Sequence, residues 1–152
     1  MSIRIYVKKL NKDSKLPFRA HPTDAGADVY ACSRRTVSDF SSVGNIISVI
    51  EYGTGLAFSI PKGYFFDMRA RSSVWKMGMS LCNGVGTIDQ TYHDEVKACF
   101  YQFNPSRSYE IGERIGQLVL VPYVNPEEVE FIEVDELPIE DDRGGGFGST
   151  GK

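Results

Sequence analysis

The chain has 152 residues, 41% hydrophobic and 24% charged, with a formal net charge of −3. That is the balance of one ordinary globular domain, long enough to bury a real core. It excludes the basic stripe that a nucleic-acid polymer would demand, though a local arginine cluster could still hold a small anion.

No apolar run approaches the ~20 residues of a membrane helix, and no charged-then-apolar leader opens the chain. Cys32, Cys82 and Cys99 are an odd, widely spaced set with no metal-type spacing to His21 or His93. Buried free thiols in a reducing intracellular compartment, such as the cytoplasm, are the expectation. Fifteen glycines and seven prolines favour short strands and tight turns.

In chain order, Ile3, Ile5 and Val7 alternate with polar residues and predict a half-buried strand. A loop with Pro17 and Pro22 follows, then Thr23-Asp24-Ala25-Gly26-Ala27-Asp28 leads into an apolar strand. By itself Asp28 reads as a turn or strand-end acid. Residues 34–45, rich in Ser, Arg and Gly, predict a loop. Strands are expected over Ile46–Tyr52, Leu56–Ile60 and Tyr64–Arg71. In the last of these, Phe66, Met68 and Ala70 share one face, and Asp67, Arg69 and Arg71 the other.

Arg71 runs into Ser72-Ser73-Val74-Trp75, where serine as a cap predicts a short helix. A helix start beside an arginine and two hydroxyls is an anion-binding corner. Asn83-Gly84-Val85-Gly86-Thr87-Ile88-Asp89-Gln90-Thr91-Tyr92 reads as a hairpin whose backbone a ligand can approach closely, or else as an ordinary hairpin with solvent-facing Asp89 and Tyr92. Further strands are expected over Val96–Phe103, over the continuous apolar run Leu118–Val121, covered on both faces, and over Val129–Val134. An acidic arm, 135–142, precedes Arg143-Gly-Gly-Gly-Phe147-Gly148-Ser149-Thr150-Gly151-Lys152. Composition makes that tail flexible. Its arginine, hydroxyls and single aromatic suit phosphate and base, so it would order over a ligand. With about eight or nine short strands and one short helix, the chain predicts an all-β, single-domain sandwich or jelly roll.

Five stretches, in order and across essentially the whole chain, resemble the motifs of the trimeric dUTPase family: 24–31, 71–73, 83–95, 112–118 and 143–151. The third carries the family pattern Gly-x-Ile-Asp-x-x-Tyr. The resemblance implies a homotrimer with three shared sites that hydrolyses dUTP to dUMP and pyrophosphate with Mg²⁺. It places a β core and arm over 1–142 and a nucleotide-closing tail over 143–152.

By that resemblance Asp89 activates the attacking water, and Arg71, Ser72, Gln117 and Arg143 hold phosphates, with Ser73 beside them. Asn83 and the backbone of Gly86, Thr87 and Ile88 read uracil. Tyr92 packs under the deoxyribose and excludes a 2′-hydroxyl. Phe147 closes over the base, with Gly148, Ser149 and Thr150 around the phosphates. Asp28 meets Mg²⁺ through water. The chemistry suits the residue types: a carboxylate accepts a proton at neutral pH, and guanidinium forks match phosphate oxygens. Mg²⁺ prefers phosphate oxygens and water to a protein cage.

The chain departs from the pattern at His93-Asp94-Glu95, where Arg-Gly-Glu is usual, so the turn should differ locally while the site stays intact. It departs also at Trp75 and Met77, in a shorter Arg143–Phe147 spacing, and in a longer 34–45 segment. The alternatives are a dCTP deaminase-like relative, which normally lacks this tail, and a non-catalytic regulator on the same scaffold, which would be expected to have lost Asp89.

Overall fold

The computed structural model describes residues 2–39 and 48–138. Ten strands form a two-layer sandwich: β1 Tyr6–Lys9, β2 Gly26–Tyr30, β3 Ser33–Asp39, β4 Ser48–Gly53, β5 Leu56–Ser59, β6 Tyr64–Ala70, β7 Met79–Leu81, β8 Val85–Ile88, β9 Lys97–Gln102 and β10 Arg114–Pro122. One sheet runs β2-β10-β6-β8, the other β3-β4-β9-β7, and β1 pairs with β5 at one side. The all-β expectation holds. Every ladder is antiparallel.

Alternation explains the layers. In β9, Ala98, Phe100 and Gln102 are buried while Lys97, Cys99 and Tyr101 face out. In β6, Phe66 and Met68 turn inward as expected, and Arg69 on the other face donates to Asp67 at 2.7 Å. Tyr52, Phe100 and Tyr109 pack edge to face with centroids 5.8–5.9 Å apart. Each such contact adds about 0.5–1.5 kcal/mol to the burial itself. The Tyr52 hydroxyl accepts from the Tyr109 amide at 3.0 Å, which satisfies both inside the core.

Five expectations need correction. Residues 33–39 form β3 rather than a loop. Arg35 grips Glu51 of β4 through two bonds, 2.7 and 3.1 Å, and β3 is a charged edge strand of the kind that resists aggregation. Residues 40–47 lie outside the described part. Val129–Val134 pairs with nothing in the described chain, and Phe131 is 97% exposed. The first strand begins at Tyr6, not Ile3.

The expected helix is a single 3₁₀ turn, Val74–Met77, without a side-chain cap from Ser73, and it stops at Gly78 with φ 60°. Finally, all three thiols are half-buried rather than buried. Among the described residues no helix is long and apolar enough to cross a membrane.

Candidate active site

β7 and β8 belong to different sheets, and Cys82-Asn83-Gly84 carries the chain between them. Gly84 sits at φ +65°, a region costly for side chains, and its amide donates to Leu81 O at 3.2 Å. The last rung of the β7–β9 ladder is Cys82 N–H to Cys99 O, 2.9 Å. Past it, β9 keeps β4 on one side but no longer has β7 on the other, and a pocket of about 340 Å³ opens there.

The hairpin expected over 83–92 does not form among the described residues: β8 pairs with β6 and β7 with β9, so the stretch crosses between the two sheets. That crossover supplies Asn83, Gly86, Thr87 and Ile88 to the pocket wall, and Tyr92 follows from the next turn. Met68, Val96 and Ala98 are buried beneath, and Cys82, Lys97 and Cys99 complete the lining. The pocket is thus apolar below with an amide at its edge, as a flat heterocycle requires. A Cβ on Gly86 would lie 3.0 Å from Asn83 Nδ2 and 3.4 Å from Met68 Cβ. The Asn83 amide therefore rests on bare Gly86 backbone.

Ile88 is buried, so alternation turns Asp89 outward, where it is exposed. Asp89 O accepts from Tyr92 N at 3.0 Å, closing a turn. The Tyr92 hydroxyl donates to Glu95 O at 3.0 Å. His93 Nδ1 donates to Phe58 O of β5 at 3.2 Å, and Glu95 Oε1 accepts from Gly55 N at 2.8 Å. The departure at 93–95 thus still pins the turn to the β5 side of the fold.

A second cluster lies where β2, β6 and β10 meet. Asp28 is buried, its backbone bridged to Phe18. Its Oδ2 accepts from Arg114 Nη1 at 3.1 Å, and its Oδ1 faces Arg71 Nε at 3.5 Å. Oδ1 and Nε make no hydrogen bond among the described residues, so this second contact is an ion pair only. Gln117 pairs with Asp28 on one side and Arg69 on the other, and its Oε1 would lie 2.9 Å from a Cβ on Gly26.

Arg71, Ser73, Lys76 and Arg114 line a pocket of about 370 Å³ with Tyr30 and Tyr109; Ser72 is exposed nearby. Burial pushes the Tyr109 phenol up, the Arg71 guanidinium opposing, and its hydroxyl has no partner among the described residues. The 3₁₀ turn does not make the anion corner expected of a helix. Val74 N donates to Arg71 O, so the positive charge comes from side chains.

Sequence reading gave no role to Arg114 or Tyr109. Arg114 faces Tyr30 in the ladder, two positions from Asp28, so once the β2–β10 pairing is known the diagonal contact follows. Arg143, Phe147, Gly148, Ser149 and Thr150 lie outside the described residues. Asn83, Gly86, Thr87, Ile88 and Tyr92 line one pocket, and Arg71 and Ser73 another. Asp28 joins the second group through its ion pair with Arg71, and Gln117 faces Asp28 in the ladder.

The jelly-roll sandwich thus carries one pocket at the β7–β8 crossover and a second beside Arg71 and Arg114. The dUTPase family model matches residues 12–151. The chain belongs to the dUTPase family. It is 37% identical over 150 residues to the deoxyuridine 5'-triphosphate nucleotidohydrolase of Corynebacterium jeikeium (strain K411), covering 95% of this chain and 91% of that one. Against the enzyme of the same name from Hydrogenobaculum sp. (strain Y04AAS1) it is 36% identical, covering 98% and 99%. The structure of Staphylococcus bacteriophage 80alpha dUTPase with dUPNHPP superposes with a TM-score of 0.75 at 28% identity, covering 98% and 99%.

Proposed function

We propose that the chain hydrolyses dUTP to dUMP and pyrophosphate with Mg²⁺, using Asp89 to activate the attacking water, in a homotrimer that shares its sites. The observation that carries this reading is the pocket at the β7–β8 crossover with exposed Asp89 directly after its wall residue Ile88. Asn83 and the Gly86–Ile88 backbone read the uracil edge. Tyr92, held by Glu95 O, lies under the sugar and leaves no room for a 2′-hydroxyl. A site that hydrogen-bonds the base rejects a mismatched edge by up to ~10⁴-fold or more, whereas a methyl-scale clash yields only ~10–200-fold.

Asp89 takes a proton from the water as it attacks, and Arg71, Ser72, Ser73 and Gln117 bind the phosphate oxygens and the departing pyrophosphate. Arg143, Phe147, Gly148, Ser149 and Thr150 close over the nucleotide. Among the described residues no group of three or more His, Cys, Asp and Glu is placed to hold a metal. Asp28 Oδ1, buried and without a hydrogen bond among the described residues, fits a water on a triphosphate-borne Mg²⁺. When bound, that ion would offset phosphate charge. The reaction supplies dUMP, and removal of dUTP limits uracil in DNA. The free thiols favour a reducing intracellular compartment.

Two features support the trimer. The β7–β8 crossover and the arginines open on separate pockets of one chain, which suits a site completed by another subunit. The run Val129–Val134 has strand character but no partner among the described residues, with Phe131 97% and Ile132 71% exposed. Phe131→Asp is expected to weaken the trimer by about 2 kcal/mol or more per copy, as loss of an aromatic anchor does, and to lower activity with it. Sedimentation reads this out, and an unchanged trimer would contradict the docking of the arm.

Gly86→Ala presses a methyl against the Asn83 amide, so KM for dUTP should rise roughly tenfold with the fold intact. Steady-state kinetics beside circular dichroism checks it. The function itself is tested by supplying dUTP and Mg²⁺ and measuring products. Equal dUMP and pyrophosphate are expected. Ammonia release, or an inert chain, would overturn the reading.

A further inference from the structure

The β7–β9 register pairs Met79 with Gln102, Ser80 with Tyr101 and Leu81 with Phe100. The next pair in that series is Cys82 and Cys99, and the Cys82 N–H bond to Cys99 O confirms it. Directly opposed residues in an antiparallel ladder put their side chains on the same face, here with Cα atoms about 5.5 Å apart. A disulfide spans Cα separations of about 4.4–6.8 Å. Both thiols are half-buried and both line the pocket that holds Asn83, Gly86 and Tyr92. Cys32 stands apart, beside Ser14 Oγ at 3.5 Å.

We propose that Cys82 and Cys99 form a dithiol at the mouth of the base pocket, which a low-molecular-weight disulfide such as oxidised glutathione converts to a cross-strand disulfide that weakens dUTP binding. The last clause rests on the dUTPase reading; the dithiol does not. One thiolate attacks a sulfur of the oxidant and expels a glutathione thiolate. The second protein thiolate then attacks the mixed disulfide and expels the other. Two protein thiols lose two hydrogens, and one oxidised glutathione becomes two reduced ones.

Burial holds the Cys82 thiol up, with Cys99 adding to it. Burial does the same for Cys99, joined by Glu51 and opposed by Arg35 and Lys97. The resting pair is therefore protonated and slow, and it answers to sustained oxidant rather than to traces. Cys82 is bonded directly to Asn83, so closing the bond moves the base-reading amide.

The test uses the full chain with excess oxidised glutathione, then non-reducing trypsin digestion and mass spectrometry. Trypsin cuts after Lys97, so the two cysteines fall in separate peptides. The expected product is a linked Cys82–Cys99 peptide, two hydrogens lighter than its parts, formed equally in Cys32→Ser. In Cys99→Ser a stable glutathione adduct should remain on Cys82. Separate adducts on Cys82 and Cys99, or a link through Cys32, would overturn the dithiol.

In turnover assays the oxidised chain should show kcat/KM for dUTP lower by about tenfold or more, mainly through KM, with recovery in dithiothreitol. A linked chain with unchanged KM would overturn the effect on binding. A reduced chain inert toward dUTP is a failure of the activity, and the linked peptide still decides the dithiol.

Discussion

Asp89→Asn is expected to lower kcat on dUTP by about 10³–10⁴-fold while leaving nucleotide affinity within a few-fold. The asparagine keeps the size and the turn, since the turn bond uses the backbone, Asp89 O accepting from Tyr92 N. Asp89 is not itself in the pocket lining, and the neighbouring lining residues Ile88 and Tyr92 stay as they were. What is lost is the only group at that position able to take a proton from water. Single-turnover kinetics beside equilibrium binding of a non-hydrolysable analogue separates the two. A variant that keeps more than a tenth of its rate would remove Asp89 from the role of base.

The second large effect is at Arg71. Arg71→Ala should cost about 10²–10³-fold in kcat/KM, the scale of losing one preorganised charge stabiliser. It also has a structural component. Asp28 is held between Arg71 and Arg114, and its carboxylate is 9% exposed. With Arg71 gone, one guanidinium remains. Because Arg71 and Arg114 are 26% and 42% exposed, the stability loss should stay well below that of a fully buried pair, about 1–2 kcal/mol. Arg71→Lys keeps the charge but not the fork, so it should recover the stability and only part of the rate. Denaturant unfolding together with kinetics on both variants checks this. Equal rates for lysine and arginine would argue against a two-pronged phosphate contact.

Strands with strict alternation were legible because a period of two leaves little choice of face. β6 and β9 are the clearest cases, with Met68 and Phe100 inside. The β3 edge was not legible, since its Ser-Arg-Arg composition resembles a loop and its partner Glu51 is sixteen residues away. Val129–Val134 shows the opposite error: strand composition without a ladder in the described chain. Composition reports a preference, whereas a ladder needs a neighbour.

At the site, Gly86, Asp89 and Tyr92 were readable because they fall within seven residues of one another, but the hairpin expected there is a crossover between sheets. The bracketing of Asp28 was not, because Arg114 lies 86 residues away and only the β2–β10 register brings it near. The half-burial of Cys82 and Cys99 was likewise hidden. It depends on where β7 leaves β9, and no local pattern in 79–84 marks that point.

The most direct test of a site shared between subunits is complementation in mixed trimers. Chains carrying Asp89→Asn and chains carrying Arg71→Ala are co-expressed and purified together, and dUTP turnover is measured against each variant alone. In a shared site, an intact Asp89 from one chain meets an intact Arg71 from another. Random assembly in a closed ring then restores about a quarter of the wild-type activity. If each chain builds its own site, every mixed trimer contains only damaged sites, and activity at the level of the single variants would contradict the account.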